Sequence, residues 1–169
     1  MSFDKITESD SKYDDLEKKS VKQLLGIINL EDRSVAGSVQ KVIPKIGMLV
    51  NKVISQIESG GRLFYIGSGT SGRLGVVDAS ECPPTFGVSP NLVIGIISGG
   101  KKALHNSIEG AEDDLSLAAN DIKKYKINKN DIILGISTSG TTPYVHKFLK
   151  ESKKIGSFTS ILTSNKIKN

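Results

Sequence analysis

Residues 61–73, Gly-Arg-Leu-Phe-Tyr-Ile-Gly-Ser-Gly-Thr-Ser-Gly-Arg, constrain this chain more than any other stretch. The apolar run from Leu63 to Ile66 predicts a buried strand. The next seven residues are all Gly, Ser, Thr or Arg, and a helical pattern resumes at Leu74. A strand that empties into such a loop and then into a helix turns backbone N–H groups toward one point, where the helix N-terminus adds partial positive charge. Ser68, Thr70 and Ser71 add three hydroxyl donors, so the loop suits a small anion. It lacks the Gly-Lys-Ser/Thr ending of a nucleoside-triphosphate loop. Its glycines at 67, 69 and 72 match the dinucleotide spacing, but the next strand ends in Ile97-Ser98-Gly99-Gly100, without the acid that holds a ribose. The hydroxyl content points instead to a phosphosugar.

The same grammar occurs a second time. Asp131 to Ile136 predicts a strand, followed by Ser137-Thr138-Ser139-Gly140-Thr141-Thr142 and by Pro143 at a helix start. Leu92 to Ile97 and Phe158 to Leu162 complete four strands that alternate with helices. That pattern predicts a parallel sheet with both hydroxyl loops at its carboxyl edge. Between the loops, Leu74 to Cys82 reads as a helix stopped by Pro83-Pro84, which places Glu81 in its last turn against the negative end of the helix dipole. A carboxylate in so unfavourable a place is a functional candidate. Lys101 to Ile108 reads as a short helix, and a further helix runs through Leu115, Ala118 and Ile122. Asp113 and Asp114 at its start are capping residues, while Glu109 and Glu112 compete for a second acidic role.

Residues 1–52 read as a helical segment ahead of an α/β domain at 53–169. Met1 to Lys19 is charged and without periodicity, an extended or frayed arm. Ser20 and Gln23 form a capping box before a short helix through Leu24, Leu25, Ile27, Ile28 and Leu30. Asp32 and Ser34 then lead into a second, longer helix, kinked at Pro44 and ended by Gly60-Gly61. Neither a signal peptide nor an apolar run near the ~18 residues of a membrane span is visible, so a cytoplasmic protein without a membrane partner is expected. The single cysteine, Cys82, has no Cys or His companions, which predicts neither a disulfide nor a metal, and at a helix C-terminus it is a poor nucleophile. His105 and His146 read as surface or packing residues. The formal charge is +5, and from Lys123 onward ten lysines face two acids. Without interleaved aromatics these lysines are solvated surface and not a nucleic-acid site, though their field would draw in an anion.

Residues 67–87, which continue the first loop through Leu-Gly-Val-Val-Asp-Ala-Ser-Glu-Cys-Pro-Pro-Thr-Phe-Gly, together with Glu-Gly-Ala-Glu-Asp at 109–113 and Ser-Gly-Thr-Thr-Pro-Tyr-Val at 139–145, closely resemble the N-acetylmuramic acid 6-phosphate etherases of the sugar isomerase (SIS) fold family. The resemblance runs from about Leu24 to about Asn165. It implies a three-layer α/β/α sandwich with a parallel sheet, assembled as a homodimer with its sites near the subunit interface. It also implies cleavage of the D-lactyl ether of N-acetylmuramic acid 6-phosphate, to N-acetylglucosamine 6-phosphate and D-lactate, with no metal or organic cofactor. On this resemblance Glu81 matches the proton donor and Glu112 the second active-site acid, and Ser68, Thr70, Ser71, Ser137, Ser139 and Thr142 hold the 6-phosphate. Two departures stand out. Thr141 occupies a position where the family usually has Arg, and the family's chains continue beyond the four strands, so this chain reads as incomplete at its C-terminus. The same fold serves non-catalytic phosphosugar sensors such as the glucokinase regulatory protein, and aldose–ketose phosphosugar isomerases. Retention of both acids favours the etherase.

Overall fold

The structure, a computed structural model, describes residues 6–165; residues 1–5 of the expected arm and 166–169 of the expected α/β domain lie outside the described residues. The chain divides into two compact units, one of residues 8–52 and one that combines residues 6–7 with 53–165.

In the smaller unit, helix α1 (Val21–Gln40) opens on the expected capping box. Gln23 N–H donates to Ser20 Oγ at 3.4 Å, and Ser20 N–H donates to Gln23 Oε1 at 2.8 Å. The helix does not stop at Asp32 and Ser34. The Ser34 hydroxyl turns back to donate to Glu31 O at 2.7 Å, so it satisfies itself within the helix instead of capping a new one. The break comes at Lys41 and Val42, and Pro44 lies in the first turn of α2 (Ile43–Glu58), where no intrahelical N–H bond is lost. The segment ahead of α1 is pinned, not frayed. Tyr13 Oη and Lys12 Nζ donate to the two carboxylate oxygens of Glu31, at 2.7 and 3.0 Å. Along α1 the apolar residues Leu25, Ile28, Val35 and Val39 remain exposed.

The larger unit is built on four parallel strands in the order β2-β1-β3-β4: β1 (Leu63–Gly67), β2 (Val93–Ile97), β3 (Ile132–Ile136) and β4 (Phe158–Leu162). Helix α3 (Gly69–Phe86) covers one face. On the other lie α5 (Leu115–Lys124) and α6 (Pro143–Ile155), which close a core of Phe64, Ile66, Ile133, Ala118, Tyr144 and Phe148. These are the three layers expected. A single turn, α4 (Lys102–His105), stands where a longer helix was expected.

Helix α3 approaches its face of the sheet closely because both surfaces carry glycine. A Cβ on Gly95 of β2 would lie 2.5 Å from Val76 Cα, and one on Gly72 of α3 would lie 2.6 Å from Ile97 Cγ1. In the first case a backbone must move, so Gly95→Ala is expected to destabilise the unit by about 1–3 kcal/mol, read as a lower urea midpoint. An unchanged midpoint would mean that α3 shifts freely on the sheet.

The expected end of α3 at Cys82 is overturned. The helix continues through Pro83 and Pro84 to Phe86 and closes on Gly87, whose φ is +67° and whose N–H donates to Pro83 O at 2.9 Å. The bias of a pre-proline residue against helical geometry is overridden here, and the chain stays helical until Gly87 supplies the left-handed cap. Glu81 is therefore not in the last turn, and the helix-dipole reason for singling it out does not hold.

Candidate active site

β1 is central and β3 is its neighbour, so both hydroxyl loops open at the same carboxyl edge of the sheet. Each loop ends on the N-cap of a helix, Ser68 for α3 and Thr142 for α6. Serine and threonine are good caps, yet neither side chain caps its helix. The contrast lies within the same chain, where Ser20 and Asp114 do cap α1 and α5. The Ser68 hydroxyl accepts instead from Ser98 Oγ at 2.8 Å, and the Thr142 hydroxyl lies 2.8 Å from Ser137 Oγ. First-turn N–H groups of α3 are thus left for something other than their own cap, whereas in α6 Pro143 has no N–H and Tyr144 N–H donates to Glu112 O.

The second loop is organised by its own hydroxyls. Buried Ser137 accepts from Gly140 N at 3.1 Å, while Ser139 Oγ accepts from Thr141 N at 3.1 Å and lies 2.9 Å from Thr141 Oγ1. From behind, Asn165 Nδ2 donates to Ser139 O at 2.9 Å, and His146 Nε2 lies 2.6 Å from Gly140 O. His146, expected as a surface or packing residue, bonds to the second loop itself.

Beside the first loop is a cavity of about 270 Å³, with Ser68, Gly69, Arg73, Ser98, Asn106 and Glu112 in its wall. Glu112 is exposed at its rim, and its backbone carbonyl accepts from Tyr144 N at 2.9 Å, just inside α6. That bond ties the Glu112 segment to the helix that follows the second loop. Glu109 shares the cavity wall with Glu112. Thr70 and Ser71 occupy the first turn of α3, and Ser137, Ser139 and Thr142 form the second loop; none of these five lines the cavity. Nor does Glu81, which is exposed on α3, about 18 Å of helix beyond Gly69.

Two cavity residues carry no functional signal in the sequence. Ser98 is 2% exposed at the end of β2, where the sequence shows only the absence of an acid, and Arg73 stands where a nucleoside-triphosphate loop would have lysine. Among the described residues Arg73 is the one basic side chain on the cavity wall, whereas Lys123, Lys124, Lys153 and Lys154 lie in the last turns of α5 and α6, at the opposite edge of the sheet. The Cys82 thiol is pushed up from its ordinary pKa by burial and then by Asp78, and it donates to Asp78 O at 3.4 Å. Among the described residues, no group of three or more His, Cys, Asp or Glu could hold a metal ion, and no helix is long and apolar enough to cross a membrane.

Comparison with known proteins adds sequence and fold relatives. Residues 45–153 match the family model of the glucokinase regulatory protein N-terminal SIS domain. The chain is 53% identical over 165 residues to an N-acetylmuramic acid 6-phosphate etherase of Bacteroides thetaiotaomicron, covering 98% of this chain and 60% of that protein. It is 55% identical over 157 residues to one of Christiangramia forsetii, covering 93% and 57%. The chain therefore spans less than two thirds of the length of these relatives. Among solved structures, a phosphoheptose isomerase of Neisseria gonorrhoeae superposes with a TM-score of 0.68 at 14% identity, over 85% of this chain and 75% of that one. One from Francisella tularensis does so with a TM-score of 0.63 at 22% identity, over 83% and 75%. At these identities the two structures are similar in fold alone.

Proposed function

The chain belongs to the family of the glucokinase regulatory protein N-terminal SIS domain, and from that premise we propose that it binds N-acetylmuramic acid 6-phosphate and cleaves its D-lactyl ether. The observation that carries the binding half is the uncapped N-terminus of α3 beside the two hydroxyl loops. Ser68 turns its hydroxyl to Ser98, which leaves the N–H groups of the first turn of α3, with the hydroxyls of Thr70, Ser71, Ser137 and Ser139, for a phosphate. Thr141 bonds to Ser139, so the second loop closes without the arginine usual among etherases.

The chemistry needs one acid and one base. In the opened sugar the C1 aldehyde acidifies the C2 proton. Glu112 removes that proton while Glu81 protonates the departing lactyl oxygen, the C3–O bond breaks, and an unsaturated aldehyde remains. Water then adds at C3 and the proton returns to C2, so the net reaction consumes one water and yields N-acetylglucosamine 6-phosphate and D-lactate. Holding the phosphate keeps the reacting carbons between the two acids.

Glu81 and Glu112 do not share a cavity within one chain, so the reading includes a homodimer in which each site takes its two acids from different copies. Glu81 lies on a surface of α3 that also exposes Leu74 and Val77, at helical spacing, an apolar stripe suited to a second copy. The same reading places the protein in the cytoplasm, in amino-sugar catabolism and cell-wall recycling. The match to a regulatory protein's domain supports a second reading, a phosphosugar sensor that binds without cleaving.

The test is D-lactate release from N-acetylmuramic acid 6-phosphate, followed with a D-lactate dehydrogenase, beside calorimetric titration with N-acetylglucosamine 6-phosphate. Release supports the etherase. Binding without release leaves the sensor, and neither would sink both readings.

A further inference from the structure

The segment that carries Glu112 has little structure of its own. It follows α4, a single turn of four residues, and residues 106–114 form turns without helix or strand. Its end is fixed by the bond from Tyr144 N to Glu112 O. Its start is fixed from α3, where Arg73 Nε donates to Leu104 O at 3.0 Å and Arg73 Nη2 donates to Asn106 O at 3.2 Å. The geometry points to Arg73 as a positioning residue that sets where Glu112 stands relative to the first hydroxyl loop.

Arg73 lies five residues after Ser68 on α3, and Gly72 and Gly75 beside it hold that helix hard against the sheet. A planar guanidinium with two parallel donors can bridge carbonyls two residues apart in a fixed geometry; a lysine ammonium acts as a flexible point charge and cannot. The tether thus joins a rigid helix that presents one loop to an irregular segment that presents the acid. Asn106 is exposed, so water can replace the lost donor when Arg73 is removed. The consequence of removal is therefore local loosening and not unfolding.

Arg73→Met and Arg73→Lys test this by amide hydrogen exchange and by kinetics; the kinetic arm rests on the etherase reading and the exchange arm does not. In Arg73→Met, exchange across residues 104–114 is expected to rise by about tenfold or more, with β1 and β3 unchanged. The kcat for D-lactate release is expected to fall by about 10- to 100-fold with KM moving less than about threefold, because the hydroxyl loops are intact while the acid is displaced. Arg73→Lys should recover only part of the protection. Wild-type protection at 104–114 in Arg73→Met, or a wild-type kcat in that variant, would overturn the assignment. So would a rise throughout the unit in both variants, which would make Arg73 a scaffold residue. If the wild-type chain releases no D-lactate, the etherase reading fails and the exchange comparison alone decides the role of Arg73.

Discussion

Glu112→Gln is expected to lower D-lactate release by about 10²- to 10⁴-fold, the range in which a positioned general base contributes. Glutamine keeps the shape of the side chain and removes its capacity to take a proton. The fold should be indifferent, because the tie between this segment and α6 uses the backbone carbonyl of Glu112, and the side chain is exposed. Phosphosugar binding, held by the two hydroxyl loops, should be retained. Glu109→Gln is the internal control, since Glu109 shares the cavity wall. A large loss there, with Glu112→Gln active, would move the base to Glu109.

Glu81→Gln should be as damaging, and the two variants together test where the site is built. If each site takes Glu81 from one copy and Glu112 from the other, a mixed dimer of the two inactive chains regains one intact site. Co-expressed in equal amounts with random pairing, they should recover about one quarter of wild-type activity. A site with both acids from one chain predicts no recovery. Failure to recover would dismiss the two-chain arrangement and leave the roles of the acids untouched.

Much of this site was legible in the sequence because its signals are local. The two hydroxyl loops follow directly on apolar runs, and the four strands fall within a residue of their expected bounds. What was not legible depends on contacts between distant residues. Ser98 joins the site through a bond to a serine thirty residues earlier, and Arg73 through carbonyls thirty-one and thirty-three residues later. Two local rules misled. Asp32 and Ser34 look like helix starters but lie within α1, and Pro83-Pro84 look like a stop but lie within α3. In both places a preference of a few kcal/mol or less is outweighed by the helix around it. Glu81 does not occupy the helix end expected for it, so its candidacy stands on the resemblance of the motif around it.

Asp131→Ala is expected to cost about 3–5 kcal/mol, the loss typical of removing one partner from a buried ion pair. Arg62 precedes β1 and Asp131 precedes β3, so their pairing clamps the two central strands at the amino edge of the sheet. Arg62 Nε donates to Oδ1 at 2.9 Å and Nη2 to Oδ2 at 2.7 Å; Asn128 adds its backbone N–H at 2.9 Å and its Nδ2 at 3.0 Å, both to Oδ2. The Asp131 side chain is 1% exposed and that of Arg62 27%, with the guanidinium 4.7 Å over the Phe64 ring. Alanine at 131 would leave that charge and the Asn128 donors facing a void they cannot hydrate fully. Against the 5–15 kcal/mol that holds a domain of ordinary stability, the loss should move the urea midpoint far down. Replacing both partners, as in Arg62→Met with Asp131→Leu, should cost much less than Asp131→Ala, because no lone charge remains. A loss below about 1 kcal/mol in Asp131→Ala would mean the pair is hydrated in solution and does not clamp the strands. The clamp lies at the edge opposite the hydroxyl loops, so folded Asp131→Ala protein should bind phosphosugar as the wild type does, which separates the scaffold from the site.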